Sequence, residues 1–409
     1  MSPFIFLLGL VSARTLLHLS FLQSPQSTVP ITIDSFPDPQ KNDLGFWHGA
    51  LENLPVTYSP SSVTLYPSDP DQIYHTELSP AQCFDLTPFQ TWYLHITLTG
   101  APHFSVSLNQ NNIFCTPRRN PYPETWDSLD AARYSIRNAS GTEIYMPLSH
   151  FHIDLSRVVS VSLGGFYQPY TPVKVSKIEL VPTPPGNFPI PPKLRNGVLR
   201  LACTRPGSFA FGIDDGLPWL AREVMEILES EGVLATFFVV GRGLRDRRTG
   251  FGEFYRKMIA RGHQIALHSD LHRKMEALED KDIDDDIRSN IATFQSILSI
   301  KSKYFRPPYG TIGARTRQHL AKHITDPQII NWSVDIEDWM WADSETPERQ
   351  LDAFYRDVER GGNLAVMHYL SPSTVGYFRE IIKFVKARNL TIMRIDQCLE
   401  DRDAPLFSL

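Results

Sequence analysis

Phe209-Ala210-Phe211-Gly212-Ile213-Asp214-Asp215-Gly216-Leu217 is the stretch on which the reading of this chain turns. An apolar run ends in two adjacent carboxylates and a glycine. Side chains along a strand alternate faces, so neighbouring aspartates at a strand end can take different tasks, one holding a cation and the other accepting a proton. Gly216 is expected to let the chain turn sharply just beyond them. By itself, Asp-Asp-Gly suits a surface turn as well as a reactive site.

From Phe209 onward, strand and helix signals alternate. Apolar strand candidates lie at 209–213, 235–240, 264–267, 303–305, 328–333, 363–368 and 390–393. Between them run apolar stripes of helical period. Leu220, Val224, Ile227 and Leu228 form one, closed by Gly232; Ile283, Ile287, Ile291, Phe294 and Leu298 form another. Leu351, Phe354, Tyr355 and Val358 form a third, and Tyr377, Ile381, Phe384 and Val385 a fourth. This alternation predicts a parallel α/β fold. The strand count favours a (β/α)7 barrel, with chemistry gathered at the C-terminal strand ends.

Residues 28–181 read differently. Segments rich in β-branched and aromatic residues, at 29–33, 92–98, 104–108, 158–163 and 173–181, are separated by Pro, Gly, Asn and Asp. Many short strands with no helix-period run predict an all-β sandwich. Residues 182–204 are read as a linker, because six prolines between Pro182 and Pro192 fit neither a sheet nor a helix interior. The α/β domain then occupies 205–409. Two domains also suit a length of 409 residues, too great for one ordinary core.

Hydrophobic residues at 42% and charged residues at 21% describe a globular chain, and a net charge of −5 gives no reason to expect nucleic acid or an anionic membrane as partner. Residues 1–27 are read as a signal peptide and N-terminal segment. Phe4 to Val11 is apolar, and Val11-Ser12-Ala13 offers small residues for cleavage after Ala13, which implies a secreted or cell-wall protein. A basic start is missing and a second apolar stretch follows Arg14, so a signal anchor is the alternative. Arg14 and His18 interrupt the roughly 20 apolar residues that a span needs. No integral span is expected after signal removal.

Cys83, Cys115, Cys203 and Cys398 are disulfide candidates with three pairings open. Cys83 and Cys115 lie in the first half, while Cys203 and Cys398 bracket the second. Pairing within each half suits an oxidising compartment; four buried free thiols are the alternative. Asn138, Asn331 and Asn389 begin glycosylation sequons.

Four more clusters fall at or just after strand ends. His268-Ser269-Asp270-Leu271-His272 follows the third. Histidines four apart can face the same way on a helical turn and share one metal ion; Asp215 would complete a His-His-carboxylate set. Arg306-Pro307-Pro308-Tyr309-Gly310 follows the fourth, where two prolines fix a loop suited to holding an arginine against a carboxylate. Asp335-Ile336-Glu337-Asp338-Trp339 follows the fifth, with carboxylates to orient a histidine and a tryptophan to wall a sugar groove. His368 ends the sixth. The acidic run 279–286 is read as a helix start favoured by the macrodipole.

In this order the five clusters resemble the polysaccharide deacetylases of carbohydrate esterase family 4, the group with the NodB homology domain. The resemblance covers Arg205 to Cys398. The family's Thr-Phe-Asp-Asp-Gly-Pro motif is matched by Gly212 to Leu217, its His-Ser/Thr-x-x-His by His268 to His272, and its Arg-x-Pro-Tyr by Arg306 to Tyr309. Its Asp-x-x-Asp-Trp is matched by Asp335 to Trp339, its Leu-x-x-His-type motif by Leu364 or Val366 with His368, and its supporting Ala-Thr-Phe-Phe strand by Ala235 to Phe238. Leu217 stands where the family has proline, Gly212 where it has threonine, Tyr369 where many members have aspartate, and Ala266 where glycine is common.

The resemblance implies a distorted (β/α)7 barrel and a divalent metal, usually Zn2+, on Asp215, His268 and His272. It implies that Asp214 is the general base, steadied by Arg306. By the same resemblance His368 would be the general acid, with Asp338 as its carboxylate partner, and the Tyr309 backbone N–H would help hold an oxyanion; Trp339 is expected to line the substrate groove. The first domain resembles galactose-binding-like jelly rolls, through Ile33-Asp34-Ser35-Phe36 and the 173–181 strand. Trp47, Trp92, Tyr93 and Tyr167 are its candidate sugar platforms, or core aromatics. The function implied is metal-dependent removal of N-acetyl groups from a polysaccharide, chitin or its oligomers first. The alternatives are O-deacetylation of xylan and non-catalytic carbohydrate binding on the same fold.

Overall fold

Short alternating segments give the first half its strands. In Tyr93–Thr99, Leu94, Ile96 and Leu98 are fully buried at every second position. The computed structural model describes residues 28–406, so the signal-peptide reading of 1–27 lies outside it. All pairings in this half are antiparallel. One sheet runs Val56–Ser59, Ser62–Leu65, Val173–Val181, Tyr93–Thr99, Gly141–Pro147 and Ser135–Asn138, with Ile31–Asp34 added on Val173–Val181. The other runs His48–Leu51, Ile73–Glu77, Val158–Gly164, Ser105–Gln110 and Thr125–Asp130. Leu94, Ile96 and Leu98 from the first meet Val106, Leu108, Val161 and Leu163 from the second in one core.

Residues 182–197 carry no regular secondary structure. Past the last proline of that run, Val198–Arg200 is already a strand, parallel to Gln328–Ile330. A second core belongs to the α/β half. There Ser208–Gly216, Thr236–Val239, Gln264–Leu267, Tyr304–Phe305 and Gln328–Ile330 pair in succession, all parallel. On its other flank Ser208–Gly216 pairs with Leu364–Tyr369, and that strand pairs with Val334–Asp335. Gln328–Ile330 and Val334–Asp335 are two halves of one segment, broken at 331–333, so the sheet curls back toward its own start. Thr391–Ile392 pairs with Ser208–Phe209, at the far end of the first strand.

Helices cover this sheet. Ala221–Glu231 buries Val224, Ile227 and Leu228 and ends on Gly232 at φ 63°, the left-handed cap that a residue without Cβ accepts readily. Asp280–Thr293, Arg349–Glu359 and Pro372–Ala387 follow the other three predicted stripes. Phe251–Ala260 and Ala314–His323 are additional. Ala314–His323 has no long apolar stripe because its buried face is largely polar, and part of it meets the first half. Arg317, only 1% exposed, donates to the Trp126 carbonyl at 2.8 Å and pairs with Asp127 at 3.3 Å. Arg315 stacks over the Tyr167 ring at 4.4 Å, and Ser105 Oγ accepts from the Ala314 N–H at 2.8 Å. Among the described residues, no helix is long and apolar enough to cross a membrane.

The cysteines pair Cys83–Cys115 and Cys203–Cys398. The second bridge closes a 195-residue span around the α/β core, and Thr204 and Arg205 donate backbone N–H groups to the Cys398 carbonyl beside it. Of the three sequons, Asn138 and Asn389 are exposed. Asn331 is buried, and its amide donates to the Gly310 carbonyl at 2.9 Å. Replacing both Cys203 and Cys398 by serine should cost about 2–5 kcal/mol of stability, since the cross-link restrains a long loop in the unfolded chain. Denaturant melts of the oxidised protein and the variant measure this; coincident curves would refute it.

Candidate active site

The two aspartates do not alternate. Asp214 pairs in register with His368 and Gly216 with Tyr369, which leaves Asp215 as the extra residue of a β-bulge. Asp215 takes φ 41°, a conformation that L residues adopt only under constraint. The bulge turns both carboxylates toward one point: Asp214 Oδ2 lies 3.8 Å and Asp215 Oδ2 3.9 Å from His268 Nε2. Gly216 is needed for space, not for a turn, because a Cβ there would lie 1.9 Å from the Tyr369 ring. Leu217, where the family has proline, donates its N–H to the Tyr369 carbonyl at 3.0 Å. Proline could not make that bond.

His268 and His272 do not share a helical turn. The segment is an irregular loop with Ser269 at φ 62° and His272 at φ 53°. The His272 N–H donates to Ser269 Oγ at 2.8 Å. Buried Asp286, on helix Asp280–Thr293, accepts from the N–H groups of Asp270 at 2.6 Å and Leu271 at 3.3 Å. Asp270 in turn pairs with Arg245. Asp286, the last residue of the acidic run, thus pins the loop that carries both histidines. Its position, one carboxylate among several in a helical start, gave no signal of that use.

These constraints bring Asp215, His268 and His272 together with ligand atoms within 4.8 Å of one another. His268 Nδ1 donates to the Arg306 carbonyl at 2.8 Å, so Nε2 is left as a bare lone pair aimed at the carboxylates. Burial holds the His268 pKa down at about 4, keeping the ring neutral, the form that binds a cation. A neutral imidazole, a second imidazole and a carboxylate suit a divalent metal and leave positions open for water and substrate.

Arg306 is completely buried, and each of its N–H groups has an acceptor. Nε donates to Ile330 O at 3.0 Å; Nη1 to Asp214 Oδ1 at 2.6 Å and Gly212 O at 3.3 Å; Nη2 to Asn331 O at 3.3 Å and Ala365 O at 3.5 Å. The Phe238 ring covers the guanidinium at 4.2 Å. A Cβ on residue 212 would sit 2.4 Å from Nη2, which accounts for glycine in place of threonine. Burial pushes the Asp214 carboxyl above its ordinary range, against the pull of Arg306 and His368. Removing one partner of such a pair would strand a buried charge at about 3–5 kcal/mol.

His368 is held twice by Asp338, which accepts from its backbone N–H at 2.7 Å and from Nδ1 at 2.8 Å. Burial disfavours the imidazolium, but the charges of Asp338, Asp214 and Asp215 prevail and raise its pKa to about 9. Tyr309 and Trp339, 59% and 69% exposed, border the same cleft as the carboxylates and histidines. Tyr309 at φ 62° and Glu337 at φ 54° add to the left-handed residues gathered at this rim. Of the four candidate platforms in the first half, Trp47 also faces the cleft. Trp92 is buried against Phe89, and Tyr167 is occupied by Asp130 and Arg315. The site therefore combines a buried carboxylate, an imidazole whose charged form its carboxylate neighbours favour, and a trio of side chains that could hold a metal ion.

The polysaccharide deacetylase family model matches residues 202–325. A chitin deacetylase of Pestalotiopsis sp is 31% identical over 218 residues, covering 51% of this chain and 69% of the relative. A chitooligosaccharide deacetylase of Sinorhizobium fredii is 30% identical over 157 residues, covering 38% of this chain and 68% of the relative. Among solved structures, the chitin deacetylase of Colletotrichum lindemuthianum superposes with a TM-score of 0.47 at 24% identity, covering 54% of this chain and 97% of that one. With its motifs assembled at one rim and a relative this similar over more than two thirds of its length, the chain belongs to the polysaccharide deacetylases, a family of hydrolases.

Proposed function

We propose that this protein is a secreted, Zn2+-dependent deacetylase that removes N-acetyl groups from chitin or its oligomers. The observation that carries the reading is the bulge at Asp215, which turns two adjacent carboxylates toward one imidazole nitrogen. The relatives named for chitin and chitooligosaccharides support the substrate class. Two disulfides support an oxidising destination. We read the curled parallel sheet as a distorted (β/α)7 barrel over 205–409, and residues 28–181 as a separate jelly-roll domain.

Asp215, His268 and His272 would hold the metal, which polarises the acetamide carbonyl as a Lewis acid when bound. Asp214 acts as the general base. Its Oδ1 is tied to Arg306, and Oδ2 is left to take the proton of the attacking water. An amine is a poor leaving group, so the departing nitrogen needs a proton, and His368 Nε2 supplies it. Asp338 fixes the ring through Nδ1 and keeps it charged until that moment. The Tyr309 N–H would stabilise the oxyanion, a contribution of about 3 kcal/mol in comparable sites. Trp339 would stack on the sugar.

Acetate release from chitin oligomers and from acetylxylan, with metal analysis, tests the proposal. Release from xylan alone, or sugar binding without acetate under any divalent metal, would overturn it. Asp214→Asn should lower kcat by about 10²–10⁴-fold with metal still bound, whereas His268→Ala should lose the metal as well. Equal metal loss in both variants would undo the separation of roles. Asp338→Asn removes the charge that favours the imidazolium. The acid must be protonated to work, so activity is lost as pH rises through the His368 pKa, and the alkaline limb of kcat should move down by about one pH unit or more. An unmoved limb would remove His368 from the role of acid.

A further inference from the structure

The cleft in front of Asp214 holds about 1040 Å³, at the top of the range for a site that takes a single small ligand. Its far wall belongs to the first half of the chain. Trp47, His75, Asn109 and Tyr122 border the same space as Asp215 and His368. We propose that this wall binds the sugar units flanking the one that reacts, with Trp47 as the stacking platform and His75 and Asn109 as polar contacts. The inference rests on the deacetylase reading above.

The wall is one face of the five-stranded sheet. Along Ser105–Gln110, Val106 and Leu108 point into the core, while Ser107 and Asn109 point into the cleft. This face presents hydroxyl, amide, imidazole and indole groups at its centre, the chemistry that meets a sugar's hydroxyls and the apolar face of its ring. Asn109 Nδ2 donates to Ser160 Oγ at 3.0 Å and Ser162 Oγ at 2.8 Å, which fixes the amide. His75 Nδ1 bonds Ser162 Oγ at 3.0 Å. Asn109 and His75 both border the cleft, and their hydrogen bonds run through Nδ2 and Nδ1. Trp47 is 41% exposed. Its ring lies across Gly49, where a Cβ would come within 2.7 Å, and stands 5.7 Å from the His75 ring. The sheet thus backs the indole, which also borders the cleft.

The wall is also fixed in position relative to the reacting centre. Lys274, two residues beyond His272, reaches Asp69 at 2.7 Å and Asp71 at 2.6 Å in the first half. Thr311, beyond Tyr309, donates to Asp71. The loops that carry a metal-binding histidine and Tyr309 are therefore bound to the sheet that faces them, and a glycan chain entering the cleft must lie along it.

The test compares deacetylation of the N-acetylglucosamine hexamer and dimer by the full-length protein. Trp47→Ala should lower the hexamer-to-dimer ratio of kcat/KM about tenfold, mainly through KM for the hexamer, and Trp47→Tyr should restore most of it. A purely structural role for Trp47 would depress both substrates together and leave the ratio unchanged, overturning the proposal. Calorimetric titration of hexamer into the protein and its Trp47→Ala variant separates this inference from the one beneath it. Tenfold weaker binding in the variant, with no acetate released by either, would sustain the wall and sink the deacetylase. Acetate release with equal binding and equal chain-length ratio would do the reverse.

Discussion

The ion pair between Arg306 and Asp214 is the constraint on which the rest of the site depends. A guanidinium without solvent contact can exist only where every donor is met, and five different oxygens meet this one. Those oxygens come from three strands or strand ends of the α/β sheet. Arg306 thus reads the sheet's geometry from the inside and holds one aspartate oxygen still, leaving the other to face the imidazole of His268. The absence of a side chain at Gly212 and the aromatic cover of Phe238 follow from the same requirement.

Around that pair the backbone departs from regularity at several of the side chains gathered there. The bulge re-aims Asp215, two left-handed residues fold the histidine loop, and two more shape the loops of Tyr309 and Asp338. Each is a sparsely populated conformation, held by its surroundings: Asp286 below the histidine loop, Tyr369 against Gly216, Ser269 under His272. The convergence is built from local irregularities placed on a regular sheet.

This division explains what could be read from residues alone. Strand and helix alternation, the seven strand segments and the five clusters are periodic or compositional signals, and all were legible. The disulfide partners were legible as a preference for pairing within each half. The geometry of the clusters was not. Alternation along a strand predicted opposite faces for Asp214 and Asp215, and a spacing of four predicted a helical turn for the histidines. Both rules assume regular backbone, which the bulge and the left-handed residues abolish. Helix Ala314–His323 escaped because its buried side is largely polar: Arg317 meets Trp126 and Asp127 of the first half, Arg315 stacks on Tyr167, and His319 pairs with Asp284 on helix Asp280–Thr293. The role of Asp286 escaped because its partners are backbone N–H groups on a distant loop.

The broken segment 328–335 carries a last consequence. Its first part pairs with Tyr304–Phe305 and Val198–Arg200 and its last part with Leu364–Tyr369, and between them the Asn331 N–H serves Arg200 while the Ser333 N–H serves Leu364. The carbonyls of Ile330 and Asn331 turn away to Arg306, and that of Ser333 accepts from Asn120 in the first half. An engineer who ironed this segment into an unbroken ribbon to toughen the protein would recover sheet bonds and take two acceptors from the arginine. The irregularity that looks like a flaw in the sheet is where the buried arginine and the sheet itself compete for the same atoms.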